Sequence, residues 1–187
     1  MASSTLIRWS GLASLIAGAL WVVVGIMLLV MSQRIPFASF SDYLIEVLTL
    51  LGLLGTLAGI AGLHVLQRER YGRFGTAGSL IAFVGFALLL VASVMFLSAG
   101  GGVPIGSTIV SIGFVTTLVG VALLGVVMLW EEVLPSWYGA LFIVGNLVGV
   151  ALYLQGGEIL LGVVWGVTGY TLLSKRGTAE QRPSRVS

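Results

Sequence analysis

The chain has 187 residues, of which 58% are hydrophobic and 9% are charged, and its formal net charge is +2. A soluble domain carries roughly 25% charged residues, so the composition excludes an ordinary water-exposed surface and we expect an integral membrane protein. The absence of cysteine excludes disulfides and thiolate metal sites, and a single histidine excludes His-rich metal sites and bis-His haem ligation.

Apolar runs long enough to cross a bilayer recur along the chain, since a helix needs about 20 residues to span the hydrocarbon core. Their approximate bounds are 9–32, 43–66, 76–98, 107–130, 136–154 and 157–174. The four prolines lie between or after these runs, where they remove no intrahelical hydrogen bond. We therefore predict an all-α, polytopic membrane bundle of six transmembrane helices with short loops. It forms one domain over 1–174, followed by a disordered polar tail over 175–187. The last two runs are short and share a tight turn, so one deep hairpin is the alternative.

Basic residues indicate the orientation of the bundle. With six spans both termini lie on one side of the membrane, and eight of the nine Lys and Arg residues lie there too, Arg34 being the exception. Because Lys and Arg are enriched in cytoplasmic loops, we expect cytoplasmic termini. The abundance of Arg, Gly and Ala is typical of a GC-rich bacterial genome, so we expect a bacterial plasma membrane.

Glycine stripes mark faces where helices can approach closely, which matters in lipid because lipid gives no hydrophobic drive between helices. Spacings of three, four or seven residues place the glycines of three runs on one helix face each. They are Gly11, Gly18 and Gly25 in the first run; Gly52, Gly55, Gly59 and Gly62 in the second; and Gly162, Gly166 and Gly169 in the sixth. We interpret them as helix-packing surfaces, although a stripe does not identify its partner.

Two carboxylates lie inside apolar runs. Glu46 and Glu158 both follow the non-cytoplasmic start of a helix, where the helix dipole favours negative charge by roughly 0.3–1 kcal/mol. One interpretation is structural: each is a helix-start acid, with Arg34 as a partner. The other is functional: if the glycine faces of the second and sixth helices meet, the acids share an outward-facing cavity that binds a proton, a cation or an amine.

Four further residues inside the runs carry two interpretations each. Trp21 and Trp165 are predicted to lie mid-membrane. They are interpreted either as packing or lipid-contact residues or as part of the wall of a ligand cavity. Asn146 is expected to hydrogen-bond to another helix, with ligand contact as the alternative. His64 is a solvated interfacial residue or has a proton-linked role.

These observations favour an accessory, scaffold or oligomerising membrane subunit that contacts lipid and a second copy or a partner subunit. The alternative is a small transporter or channel for a proton, cation or small amphipathic molecule that uses Glu46 and Glu158. We see no nucleophile–base pair, metal-ligand cluster or cofactor motif, so we expect no enzyme, metal or cofactor, and nothing indicates nucleic-acid binding.

Overall fold

The structure is a computed structural model that describes residues 2–31, 36–67, 72–130, 135–153 and 155–180. Regular structure in these ranges is helical. The helices are α1 Ala2–Met31, α2 Phe40–Gln67, α3 Gly72–Ala99, α4 Pro104–Trp130, α5 Ser136–Ala151 and α6 Gly157–Glu180. The prediction of an all-helical bundle is confirmed for this part of the chain.

Five of the six described helices are long and apolar enough to cross a membrane, and α5 is the exception. Its 16 residues rise about 24 Å, less than the roughly 30 Å of a hydrocarbon core. Large apolar side chains also cover the outside of the bundle, as at Leu80, Val115 and Val144. The chain is therefore built as a membrane-embedded helical protein. Six complete spans and cytoplasmic termini stay predictions.

The helices form a closed ring in which neighbours run antiparallel. Each helix packs on the next one along the chain, and α6 returns to pack on α1. The start of α1 and the end of α6 thus lie at the same end of the ring, which we call the terminal end. The opposite end, where the α1–α2 and α3–α4 loops lie, is the far end.

Glycines let α1 and α6 approach to backbone contact. A Cβ on Gly18 would lie 2.5 Å from the backbone nitrogen of Gly166, and one on Gly162 would lie 2.6 Å from the carbonyl oxygen of Gly18. Since real Cβ atoms do not come this close, larger residues would force these helices apart. Gly166 differs from its neighbours in the stripe, because a Cβ there would meet no atom within 4 Å.

The glycine face of α2 also turns toward α1, which corrects the hypothesis that the glycine faces of α2 and α6 meet. Gly55 lies against the backbone of Ala13, and Gly52 lies against the Trp21 ring. A glycine pattern identifies a face but not the helix that covers it. Here α1 covers both stripes, and Gly59 and Gly62 of α2 also contact the Trp165 and Leu172 side chains of α6. A further glycine-mediated contact, which sequence analysis did not single out, joins α3 to α4 where Gly85 meets Thr117.

Two helix boundaries differ from the predicted ones. α2 begins at Phe40 rather than near residue 43 because Asp42 caps its start: the Asp42 Oδ2 atom accepts hydrogen bonds of 2.8 Å from both the N–H and the hydroxyl of Ser39. α6 continues to Glu180, so residues 175–180 of the expected disordered tail are helical. Lys, Arg, Ala and Glu in this segment are good helix formers. Residues 181–187 lie outside the described ranges.

The two loops at the far end are joined to each other. α3 ends in a Schellman motif in which Gly100 has φ 68° and the Gly101 N–H donates to the Phe96 carbonyl at 2.8 Å. The Gly100 carbonyl then accepts a hydrogen bond of 2.8 Å from the Phe37 N–H in the α1–α2 loop. Phe37 is held further by an edge-to-face contact with Tyr43, with ring centroids 5.1 Å apart. This arrangement fixes Phe37 over the far end of the ring.

Candidate functional site

A cavity of about 300 Å³ occupies the interior of the ring on its far-end half. Residues from every helix, and from the α1–α2 loop and the α5–α6 turn, contribute to its wall. The apolar lining residues are Trp21, Phe37, Leu53, Phe86, Leu89, Phe96, Val110, Phe114, Val150 and Leu161, and the polar ones are Glu46, Thr49, Ser93, Ser107, Ser111, Thr117 and Tyr153. An apolar wall with a few polar groups is typical of small-molecule sites, and this volume is at the small end of their range.

The cavity exists because α5 is short. Ile159, at the start of α6, packs at the level of Gly25 in α1, which continues six residues farther to Met31. Gly156 in the turn itself packs on Leu29, so at 1.5 Å per residue the turn lies only about 3 Å below the end of α1 on this side. On the other side of the ring, Tyr153 in this turn contacts the Phe114 ring of α4 at 5.4 Å between centroids. A longer α5 would fill the space on the far-end side of this turn. Because α5 ends early, that space forms part of the cavity.

Glu46 lies in the cavity wall, nearly two turns inside α2, and is 5% exposed. The helix-start role expected for it belongs to Asp42, which is the acid in the first turn of α2. Glu158 does lie in the first turn of α6 and is fully buried. Arg34, the expected partner of these acids, lies outside the described residues.

The two glutamates converge on Tyr153. Both carboxylates are close enough to interact electrostatically with its hydroxyl group, although Glu158 is not itself part of the cavity lining. Tyr153 is thus within electrostatic range of both acids although the glycine stripes of α2 and α6 do not meet each other. One end of the cavity has the Glu46 carboxyl group in its wall, and the rest of the wall is apolar or bears hydroxyl groups.

The two mid-membrane tryptophans have different roles. Trp21 lines the inner end of the cavity, and its Nε1–H donates to Thr56 Oγ1 at 3.1 Å. Trp165 is fully buried and lies outside the lining, so the structure does not place it in the expected wall. It packs edge-to-face on Phe86 and Phe142, with centroids 5.8 and 5.6 Å away.

This aromatic cluster separates the cavity from the terminal end. The Phe142 ring also packs on the Tyr138 ring, and the Tyr138 hydroxyl is hydrogen-bonded to Thr168 Oγ1 at 2.8 Å. Tyr138, Phe142 and Trp165 are each at most 1% exposed. In the described part of the chain, the interior of the ring is thus filled by side chains on the terminal-end side of the cavity.

Asn146 and His64 are not brought to the cavity wall. The Asn146 amide donates to the Phe142 carbonyl of its own helix at 2.7 Å, not to another helix as expected, and its buried Oδ1 accepts no hydrogen bond in the described structure. His64 lies near the terminal end of α2, and its buried Nδ1 also has no partner there. Among the described residues, no group of His, Cys, Asp or Glu side chains is arranged to hold a metal ion.

Sequence reasoning missed Tyr153 and the polar wall of α4. Ser107, Ser111 and Thr117 line the cavity from that helix. Thr117 is 1% exposed and its hydroxyl has no hydrogen-bond partner in the described structure. The four-residue spacing of Ser107 and Ser111 on an apolar helix was a usable signal for the α4 wall. The contribution of Tyr153 depends on the depth of the turn, for which the short fifth run was the available signal.

Comparison with protein-family models, with curated proteins and with solved structures found no match for this chain.

Proposed function

We propose that this protein binds a small amphipathic molecule in the far-end cavity, as a carrier or receptor in a bacterial plasma membrane. The observation that carries the proposal is the cavity itself, which combines an apolar wall with the carboxyl group of Glu46 at one end. An apolar body would contact Leu53, Phe86 and Leu89, and a cationic or hydrogen-bond-donating group would lie beside Glu46. Charge-assisted hydrogen bonds of this kind are roughly twice as strong as neutral ones.

The position of the basic residues supports the proposed orientation. Arg8 and Arg73 are exposed at the terminal end, where the positive-inside rule would place the cytoplasm. The cavity would then face the outside of the cell.

The two other functions drawn from the sequence have weaker support. A channel needs a continuous polar path, whereas the aromatic cluster of Tyr138, Phe142 and Trp165 fills the described interior below the cavity. An accessory subunit was favoured by glycine stripes, which are used here for contacts within the chain. Binding of a partner subunit or a second copy stays a prediction.

The test uses the full chain in lipid nanodiscs and a dansyl-labelled undecylamine. Energy transfer from Trp21 and the other tryptophans should saturate with probe, whereas probe dissolved in the lipid gives a signal that does not saturate. Ser93 is buried in the cavity wall, so Ser93→Phe should fill the cavity and weaken binding by at least about tenfold, or 1.4 kcal/mol.

Val94→Phe is the matched control, because Val94 is the next residue of α3 and is exposed on the outside. It should bind the probe as the parent chain does. Comparable melting temperatures of the two variants would establish that both are folded. Equal saturable binding by both variants would place the probe elsewhere and overturn the proposal.

A further inference from the structure

Ser107 and Ser111 of α4 line the cavity and are also exposed on the outside of the bundle, which indicates a lateral opening beside the α5–α6 turn. Ser111, Leu118 and Gly125 are seven residues apart and share one face of α4. Gly125 at one end of this stripe packs on Ile143 of α5. Ser111 at the other end lines the cavity and is exposed, because α5 does not extend far enough to cover it. We call this opening, bounded by Ser107, Ser111, Val150 and Tyr153, the notch.

The inner rim of the notch lies at a depth where lipid tails would surround it. Phe114 and Tyr153 form its inner rim, and Phe114 is ten residues, or about 15 Å, from the start of α4. The serine hydroxyls at its edge suit an apolar medium. Ser107 donates to the Pro104 carbonyl at 2.7 Å and Ser111 to the Ser107 carbonyl at 3.0 Å, so both are satisfied within their own helix.

The far end of the cavity, in contrast, has a side chain across it. Phe37 lines the cavity from the α1–α2 loop, and its hydrogen bond to Gly100 and its contact with Tyr43 hold it in place. A ligand arriving from water along the axis of the ring would have to displace Phe37. A ligand arriving from the bilayer would meet Ser107 and Ser111.

We propose that the cavity is reached sideways from the lipid through the notch, and that its ligand is therefore a membrane-dissolved, single-chain amphiphile. The inference rests on the proposed function and adds the route and the ligand class. The polar group of the amphiphile lies at the level of Glu46 and Tyr153, and its chain extends toward Trp21 and Phe86. A solute that does not partition into lipid is not bound.

The absence of native cysteine allows a direct test with single cysteines. Ser111→Cys places a thiol at the notch, Ala38→Cys places one beside Phe37, and Thr108→Cys places one on the exposed surface of α4 away from the cavity lining. Each variant is reacted with a bulky pyrene maleimide in nanodiscs. Association and release of the dansyl-labelled undecylamine are then measured by stopped-flow fluorescence.

Modification at position 111 should slow both association and release by about tenfold or more, whereas modification at 38 or 108 should change them less than about twofold. Modification at 111 after loading should trap the probe, which distinguishes a blocked route from a filled cavity. Slowing at position 38 but not 111, or equal slowing at both, would overturn the sideways route. No saturable binding by any unmodified variant would instead overturn the proposed function.

Discussion

Tyr153 shows how a single side chain organises the polar end of the cavity. It lies two residues after the end of α5, contacts Phe114 of the neighbouring helix α4 and is within electrostatic range of Glu46 and Glu158. The glutamates are not placed near Tyr153 by the contact between the glycine faces of α2 and α6 that the sequence suggested. The sequence of each run could predict that the acids lie near helix starts, but not that a turn residue from a third helix would bring them together.

The two glutamates should set the preference for the polar group of the ligand. Changing Glu46 and Glu158 together to Gln removes two carboxyl groups that could accept charge-assisted hydrogen bonds from an amine, so affinity for the dansyl-labelled undecylamine should fall about tenfold, or 1.4 kcal/mol. Affinity for the corresponding uncharged undecanol, measured by the same energy-transfer titration, should change less than about twofold. Unchanged amine affinity would show that the acids have a structural role alone.

At the scale of elements, glycine stripes were good predictors of helix packing and poor predictors of the partner. The stripes of α2 and α6 both pack on α1, because a face without side chains accepts any helix that the chain topology brings near. The start of α2 could also have been predicted from the sequence. Ser39 and Asp42 have the spacing of a capping box, which indicates a helix start at Phe40.

Substitutions in the α6 stripe should separate glycines that are required from one that is not. A Cβ on Gly162 would lie 2.5 Å from the Val22 side chain and 2.6 Å from the Gly18 carbonyl, so Gly162→Ala should lower the free energy of unfolding by about 1–3 kcal/mol. Gly166→Ala meets open space and should be neutral or stabilise by up to about 1 kcal/mol, since alanine favours the helix.

Thermal unfolding of both variants in the same detergent provides the measurement. The two positions are four residues apart on one helix, so detergent and helix-propensity effects are matched. Equal destabilisation by the two substitutions would contradict the described α1–α6 contact.

At the scale of the whole molecule, the ring closes because six antiparallel helices bring the last one back to the first. Hydropathy and proline positions were enough to predict six helices and their order. The cavity was not predictable in the same way, since it results from the difference in length between α5 and its neighbours. Span length indicates that a helix is short, but only the packing of Ile159 against Gly25 shows where the resulting space lies.

The orientation of the ring can be checked with two cysteines. Ala38→Cys at the far end should react with a membrane-impermeant maleimide in intact cells. Phe74→Cys, at an exposed position of the terminal end, should react only after the membrane is permeabilised, because cytoplasmic placement follows from the basic residues there. Labelling of position 74 in intact cells would reverse the orientation and place the cavity on the cytoplasmic side.

The contact between α1 and α6 has a consequence for biosynthesis. α6 leaves the ribosome after α1, so the Gly18 surface of α1 is not covered by Gly162 until α6 has been made. During translation that surface remains available to lipid, to chaperones of membrane insertion or to another nascent chain. A truncated product ending before Gly157 would keep it uncovered permanently, which makes such fragments candidates for mispairing and for quality-control proteolysis.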